Sequence, residues 1–152
     1  KVESGEFVLM DFGATYDGWH SDMTRTVCVG NPSDKMKSVY ETVLTAQLSA
    51  LDAVKAGMPG KALDKIARDI ITEAGYGDNF GHSLGHGVGV EIHESPYASP
   101  SREDILPENS IVTVEPGIYL EGKFGVRIED FVVVTENGCI NMTKAPKELI
   151  CL

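Results

Sequence analysis

Short apolar stretches lie at both ends of the chain, and a helical period of apolar residues separates them. The run Phe7 to Phe12 and the Thr- and Val-rich stretch Met23 to Val29 flank the dipeptide Asp17-Gly18. Asp-Gly between two such stretches is typical of a two-residue hairpin turn. The pattern therefore predicts an antiparallel hairpin near the start of the chain.

Two amphipathic helices are predicted next. From an N-cap at Ser33 or Asp34, apolar residues recur with a helical period that ends at Gly57. A second helix is expected to begin at Lys61 and to stop at Gly75.

Strands return in the last third of the chain. Residues 110–115 and 126–135 are apolar and β-branched, a last strand is expected near 139–142, and the Pro- and Ser-containing stretch 95–109 is expected to be a loop. The order of elements predicts one α+β domain over residues 1–152, with helices on one face of a curved, mostly antiparallel sheet.

Composition narrows the class of protein. Of the 152 residues, 42% are hydrophobic and 24% charged, as in an ordinary globular domain, and the formal charge of -10 disfavours nucleic acid or an anionic membrane as partner. No apolar run approaches the roughly 18 residues of a membrane span, and the first residues lack a signal-peptide layout. Three widely spaced cysteines without a C-x-x-C pair indicate reduced thiols. We therefore expect a cytoplasmic protein.

Carboxylates interrupt three of the predicted strands, at Asp11, Glu115 and Glu129. An ionised side chain in an apolar strand is costly unless it is paired or binds a metal. At an edge strand any one of them would simply face water, so the case for a metal depends on their combination.

The hairpin offers a geometric test of that combination. With Asp17-Gly18 as the turn, Asp11 lies opposite Thr24, and Asp22 lies two residues away on the same face. Such diagonal neighbours are about 7 to 8 Å apart, which lets two carboxylates share a cation. A register shift of one residue would place the two aspartates on opposite faces.

The stretch GHSLGHGVGVEIHE holds three of the four histidines, His82, His86 and His93. Its glycines disfavour a helix, and on a strand the odd spacing would point His86 and His93 to opposite sides, so one would bind metal and the other would meet substrate. Alternatively, the glycines merely turn the chain and the histidines are satisfied core or surface groups. A phosphate-binding loop is not indicated, because no Lys-Ser or Lys-Thr follows the glycines and no G-x-G-x-x-G opens a helix. The zinc motif H-E-x-x-H is absent as well.

Four strings in this order, MDFGATYDGWHSDMTRTVCVG, HSLGHGVGVEIHE, VTVEPGIY and GVRIEDFVVVTENG, resemble a known family. They are similar to the C-terminal catalytic domain of the Xaa-Pro peptidases, prolidase and aminopeptidase P, within the M24 metallopeptidases. These enzymes have the pita-bread fold, which methionine aminopeptidases and creatinase share. The resemblance covers nearly the whole chain.

The resemblance implies a centre of two divalent metal ions, with Mn²⁺ as the first expectation and Co²⁺, Zn²⁺ or Fe²⁺ as alternatives. The implied ligands are Asp11, Asp22, His86, Glu115 and Glu129. Asp22 and Glu129 would bridge the two ions, whose charge would balance the four carboxylates.

The resemblance also implies catalytic roles. Glu115 would accept the proton of the attacking water, and His93 would donate to the scissile carbonyl oxygen. His82 matches a pocket histidine near the proline side of the substrate, and Arg127 matches an arginine that holds an acidic ligand. Alternatively, His82 is a plain loop residue and Arg127 forms only a surface ion pair.

The implied function is hydrolysis of the bond before proline in a peptide with proline at the second position, by a dipeptidase or an aminopeptidase that is a homodimer at full length. A methionine aminopeptidase-like enzyme fits less well, because Glu115 and Glu129 are only fourteen residues apart and Glu129 lies in R-I-E-D. A non-catalytic pita-bread module that binds peptides or proteins is the other alternative. Since the family's catalytic domain begins upstream of Lys1, we expect a fragment that lacks the N-terminal part of the domain, exposes apolar surface and has little activity alone.

Overall fold

The computed structural model describes all 152 residues. Eleven strands and two α-helices follow one another along the chain, with a short 3₁₀ turn at Gly77–Asn79. The elements are β1 (Glu6–Phe12), β2 (Thr15–Tyr16), β3 (Trp19–His20), β4 (Met23–Val29), α1 (Asp34–Ala53), α2 (Gly60–Glu73), β5 (Gly85–Gly87), β6 (Glu94–Ala98), β7 (Ile111–Val114), β8 (Gly117–Leu120), β9 (Phe124–Arg127), β10 (Asp130–Thr135) and β11 (Gly138–Asn141).

The N-terminal hairpin has the predicted register. β1 pairs antiparallel with β4, and Asp11 lies opposite Thr24. Asp17 and Gly18 both have positive φ, 49° and 80°, as a two-residue type I′ turn requires. A Cβ on Gly13 would lie 1.9 Å from the carbonyl oxygen of Ser21, so only glycine lets the two strands approach there. The hairpin thus brings Asp11 near the start of β4 as the sequence predicts.

Both helices form where the sequence predicts them. The Ser33 side chain caps α1 by accepting a hydrogen bond from the amide of Met36, and α1 ends at Ala53, before the turn at Gly57. α2 begins at Gly60 and ends before Gly75, whose φ of 86° breaks the helix. Neither helix is both long enough and apolar enough to cross a bilayer.

The central sheet has five antiparallel strands in the order β11-β10-β7-β5-β6. The two helices pack against each other and against these strands, and a cluster of 20 buried residues fills the space between them. Its members include Val39, Val43, Leu63, Ile71, Val112 and Val132. The predicted α+β arrangement is confirmed.

Two strand predictions are wrong in detail. The expected loop 95–109 begins inside β6, which tolerates Pro96 because β6 is the edge strand of the sheet. The single strand expected over 126–135 is two strands, β9 and β10, with a break at Ile128 and Glu129. At the break the chain leaves its pairing with β8, and Glu129 bridges to Thr24 before β10 joins β7. Glu129 therefore lies outside the regular ladders.

Candidate metal centre

Three buried side chains from different parts of the chain converge between the hairpin and the central sheet. Asp22 precedes β4, His86 is in β5 and Glu129 lies between β9 and β10; one ligand atom from each is within 4.8 Å of the other two. Glu115, which follows β7, joins them, since its Oε1 lies 3.1 Å from Nε2 of His86. The structure thus brings four of the five predicted ligands into one cluster, which we call the acidic cluster.

Asp11 is linked to the acidic cluster less directly. Its side chain is 53% exposed, and its carboxylate pairs with Nη2 of Arg127. Nε of Arg127 donates to Oγ1 of Thr24 at 3.0 Å and lies 4.0 Å from Oε2 of Glu129. Asp11 therefore borders the cluster through Arg127, and it is the one predicted ligand that the structure does not place inside it.

A threonine holds two members of the cluster in place. Oγ1 of Thr113 accepts from the His86 amide at 3.0 Å and donates to Oε1 of Glu115 at 2.9 Å. Nδ1 of His86 lies 3.0 Å from the carbonyl oxygen of Gly87. Because this contact needs a proton on Nδ1, Nε2 of a neutral ring carries no proton, and its lone pair can bind a cation in place of the contact with Glu115. A Cβ on Gly85 would lie 2.0 Å from the carbonyl oxygen of Thr113, so glycine permits the close approach of β5 and β7.

Burial and mutual repulsion disfavour the ionised forms of carboxylates in the acidic cluster. Burial first, and then the nearby charge of Glu115, raise the pKa of Glu129 to about 8, although the Thr24 hydroxyl donates to its carboxylate at 2.5 Å. Burial also raises the pKa of Asp22, against the favourable charge of His86. These shifts mean that holding several ionised carboxylates here is unfavourable without a cation.

His86 and Glu115 stabilise each other. Burial is the largest single influence and disfavours the charged form of each, but their mutual hydrogen bond, further hydrogen bonds from Thr113 and to Gly87, and the nearby charges together outweigh it, so the pKa of His86 lies above its ordinary value and that of Glu115 below it. Carboxylate oxygens with one imidazole nitrogen suit Mn²⁺, Fe²⁺, Co²⁺ and Zn²⁺. The residues present therefore fit divalent cations in donor chemistry and in charge.

A cavity of about 430 Å³ opens next to the acidic cluster. His82, His86, His93, Glu115 and Arg127 are among the residues that line it. The rings of His86 and His93 meet edge to face, with centroids 4.2 Å apart. The expectation that these two histidines point to opposite sides is wrong, because residues 89–93 form a bend rather than a strand and strand alternation does not apply.

His82 and Arg127 belong to one hydrogen-bond network at the rim of the cavity. Nε2 of His82 lies 2.9 Å from the hydroxyl of Tyr119, and Nη1 of Arg127 donates to the same hydroxyl at 3.2 Å. His82 is thus more than a plain loop residue. Arg127 is also more than a surface ion pair, since it joins Asp11, Tyr119 and Thr24.

Sequence reasoning missed three contributors to the site. Tyr119 is not among the site residues predicted from the sequence, and its hydroxyl contacts have no signal there. Thr113 had none either, but Thr24 could have been found, because the predicted hairpin register places it opposite Asp11.

Comparison with known proteins decides the family. The model of metallopeptidase family M24 matches residues 1–136. The chain belongs to this family.

Several relatives of this M24 chain are named as peptidases that act on Xaa-Pro peptides. An Xaa-Pro dipeptidase of Pyrococcus furiosus is 53% identical over 150 residues, which are 99% of this chain and 43% of that protein. A solved Xaa-Pro dipeptidase of Bacillus anthracis superposes with a TM-score of 0.98 at 54% identity, over 99% of this chain and 42% of that one. An X-Pro aminopeptidase of Thermotoga maritima MSB8 gives a TM-score of 0.96 at 53% identity, over 99% and 42%.

These similarities confirm the α+β pita-bread fold that the sequence motifs implied. The M24 chain spans less than half the length of each of these relatives.

Proposed function

We propose that this chain carries the metal-binding part of an exopeptidase that hydrolyses the peptide bond before proline. The convergence of Asp22, His86, Glu115 and Glu129 in one buried cluster beside a cavity supports this proposal most directly. Family membership supports it as well, since relatives that are 53% identical to this chain carry the names Xaa-Pro dipeptidase and X-Pro aminopeptidase.

The proposed cofactor is a pair of divalent cations, with Mn²⁺ as the first expectation. The proposed ligands are Asp11, Asp22, His86, Glu115 and Glu129. Asp11 is included because its carboxylate is half exposed at the border of the acidic cluster, and the oxygen that does not pair with Arg127 can bind a cation. When bound, such ions polarise the scissile carbonyl and lower the pKa of a water molecule towards about 7.

The side chains around the cavity supply the remaining chemistry. The Thr113 hydroxyl donates to Glu115 and favours its ionised form, so the carboxylate accepts the proton of the attacking water and passes it to the leaving amine. His93 lines the cavity and donates to the carbonyl oxygen as negative charge develops there. Arg127 orients Asp11, and Tyr119 fixes His82 and Arg127 relative to each other.

The proposed substrate is a peptide with proline at the second position, and His82 would contact its proline side. Both dipeptidase and aminopeptidase names occur among the relatives, so the proposal includes dipeptides and longer peptides. We also propose that the full-length protein is a homodimer. It should bind neither nucleic acid nor an anionic membrane, because the net charge of this chain is -10. The unpaired cysteines support a reducing compartment such as the cytoplasm.

The test uses the full-length protein after chelation and reconstitution with Mn²⁺. We expect about two Mn²⁺ ions per chain and hydrolysis of Ala-Pro or of longer Xaa-Pro peptides, with little hydrolysis of Met-Ala peptides. Asp22→Asn serves as the matched control, since it keeps the shape of the side chain and removes its charge. Protein that binds no Mn²⁺ and cleaves nothing would favour the non-catalytic binding module, and preferred cleavage after an initial Met would favour a methionine aminopeptidase.

A further inference from the structure

A second charged network lies behind the acidic cluster, and Arg25 is its centre. Arg25 is only 6% exposed. A guanidinium has five N–H donors, and all five are used here. The acceptors are Thr24 O at 2.9 Å and Glu129 O at 2.6 Å for Nη1, Asp130 Oδ1 at 2.7 Å and Ala145 O at 2.8 Å for Nη2, and Pro146 O at 2.9 Å for Nε.

Two adjacent residues of β4 hold Glu129 at three points. The amide of Glu129 donates to the carbonyl oxygen of Thr24 at 3.1 Å, and its own carbonyl oxygen accepts from Arg25. The Thr24 hydroxyl donates to the Glu129 carboxylate. Because Glu129 lies in the break between β9 and β10, these contacts replace the ladder that would otherwise fix a strand residue.

Asp130 fixes the orientation of the Arg25 guanidinium. Its carboxylate is fully buried and also accepts from Gln47 at 3.1 Å, Asn141 at 2.6 Å and Lys147 at 2.6 Å. Two cationic side chains, Arg25 and Lys147, contact this buried carboxylate, so separating it from Arg25 would cost a large stabilisation.

The network also reaches the end of the chain. Ala145, Pro146 and Lys147 lie beyond residue 136, where the match to the family model stops. Two backbone carbonyls and one ammonium of this last segment nevertheless contact Arg25 and Asp130. The segment thus supports the side of the site that faces away from the cavity.

We propose that the buried Arg25–Asp130 pair positions Glu129 for metal binding. The inference rests on the proposed function, because it takes Glu129 to be a metal ligand. Arg25 fixes the backbone of Glu129, and Asp130 fixes the plane of Arg25. Lysine cannot replace Arg25, since a single ammonium cannot reach the Glu129 carbonyl, the Asp130 carboxylate and the carbonyls of the last segment together.

The experiment measures metal binding by the full-length Arg25→Lys protein. Mn²⁺ affinity is obtained by titration calorimetry, and the absorption spectrum of the Co²⁺-loaded protein reports ligand geometry. We expect affinity to fall by about 10- to 100-fold, the usual effect of losing a partner that orients a ligand, and the Co²⁺ bands to shift. Val134→Ala is the control, because it removes buried volume from the same β10 without touching Glu129.

The outcomes separate the inference from the proposed function. Wild-type protein that binds no Mn²⁺ overturns both. Wild-type binding with unchanged affinity and Co²⁺ spectrum in Arg25→Lys, or equal losses in Arg25→Lys and Val134→Ala, overturns the inference alone. If Arg25→Lys does not fold, Asp130→Asn tests the same pair with little change of shape, and we expect its Mn²⁺ affinity to fall about tenfold. Wild-type affinity in Asp130→Asn would then overturn the inference.

Discussion

Replacing Glu129 with glutamine should make the metal-free protein more stable at neutral pH. In the folded chain the acidic cluster raises the pKa of Glu129 from 4.5 to about 8. The unfolded chain loses the proton near the ordinary value, so between these two values the folded state holds one proton more than the unfolded state. Stability therefore falls as pH rises through this range. Glutamine resembles the protonated form and does not have this penalty.

The size of the effect follows from the two pKa values. One pKa unit corresponds to about 1.4 kcal/mol, and about pH 7 is roughly 2.5 units above the ordinary value. Glu129→Gln should therefore raise the unfolding free energy of the metal-free protein by about 3 kcal/mol at about pH 7 and by almost nothing at about pH 4. In the presence of Mn²⁺ the wild type should be the more stable of the two proteins, because the variant lacks a metal ligand.

The assay is urea unfolding of chelator-treated protein at several pH values, followed by circular dichroism. Glu121→Gln is the matched control, since Glu121 is exposed in the turn between β8 and β9, and we expect no change from it. A Glu129→Gln protein that is less stable than wild type at neutral pH without metal would refute the reasoning. So would a stabilisation that does not depend on pH.

The remaining predictions concern the metal, the reaction and the hairpin. Asp22→Ala should abolish both Mn²⁺ binding and turnover, and near-normal turnover of an Xaa-Pro peptide would contradict its assignment. His93→Ala should lower kcat by about 10² to 10³ with little change in Mn²⁺ affinity, as measured by steady-state kinetics and calorimetry. Because a cation competes with the proton on Glu129, Mn²⁺ affinity should rise between about pH 6 and about pH 8; a flat profile would argue against Glu129 as a ligand. Gly13→Ala should lower both the Tm and Mn²⁺ affinity, because the added Cβ clashes with Ser21 next to Asp22; an unchanged Tm would contradict this.

The hairpin and helices were predictable because local chemistry determines them. Asp17-Gly18 specifies one turn, and that turn fixes the register that places Asp11 opposite Thr24. The Ser33 cap and the Gly75 stop similarly depend on a few neighbouring residues. Such features can be read from the sequence without knowledge of distant contacts.

The site itself depends on contacts that the sequence does not encode locally. The rings of His86 and His93 meet because residues 89–93 form a bend, and the alternation of side chains along a strand does not apply to a bend. The break before β10 is also tertiary, since Glu129 pairs with Thr24 more than a hundred residues earlier in the chain. Tyr119 was missed for the same reason: its partners His82 and Arg127 come from other elements.

The break between β9 and β10 bears on any attempt to transplant this centre into a designed scaffold. Copying the β9–β10 segment that contains Glu129 would not be enough, because the atoms that hold Glu129 belong to Thr24 and Arg25 on β4. A graft that moves β4 and the β9–β10 segment together should reproduce the orientation of the Glu129 carboxylate. The β9–β10 segment alone should yield a flexible glutamate.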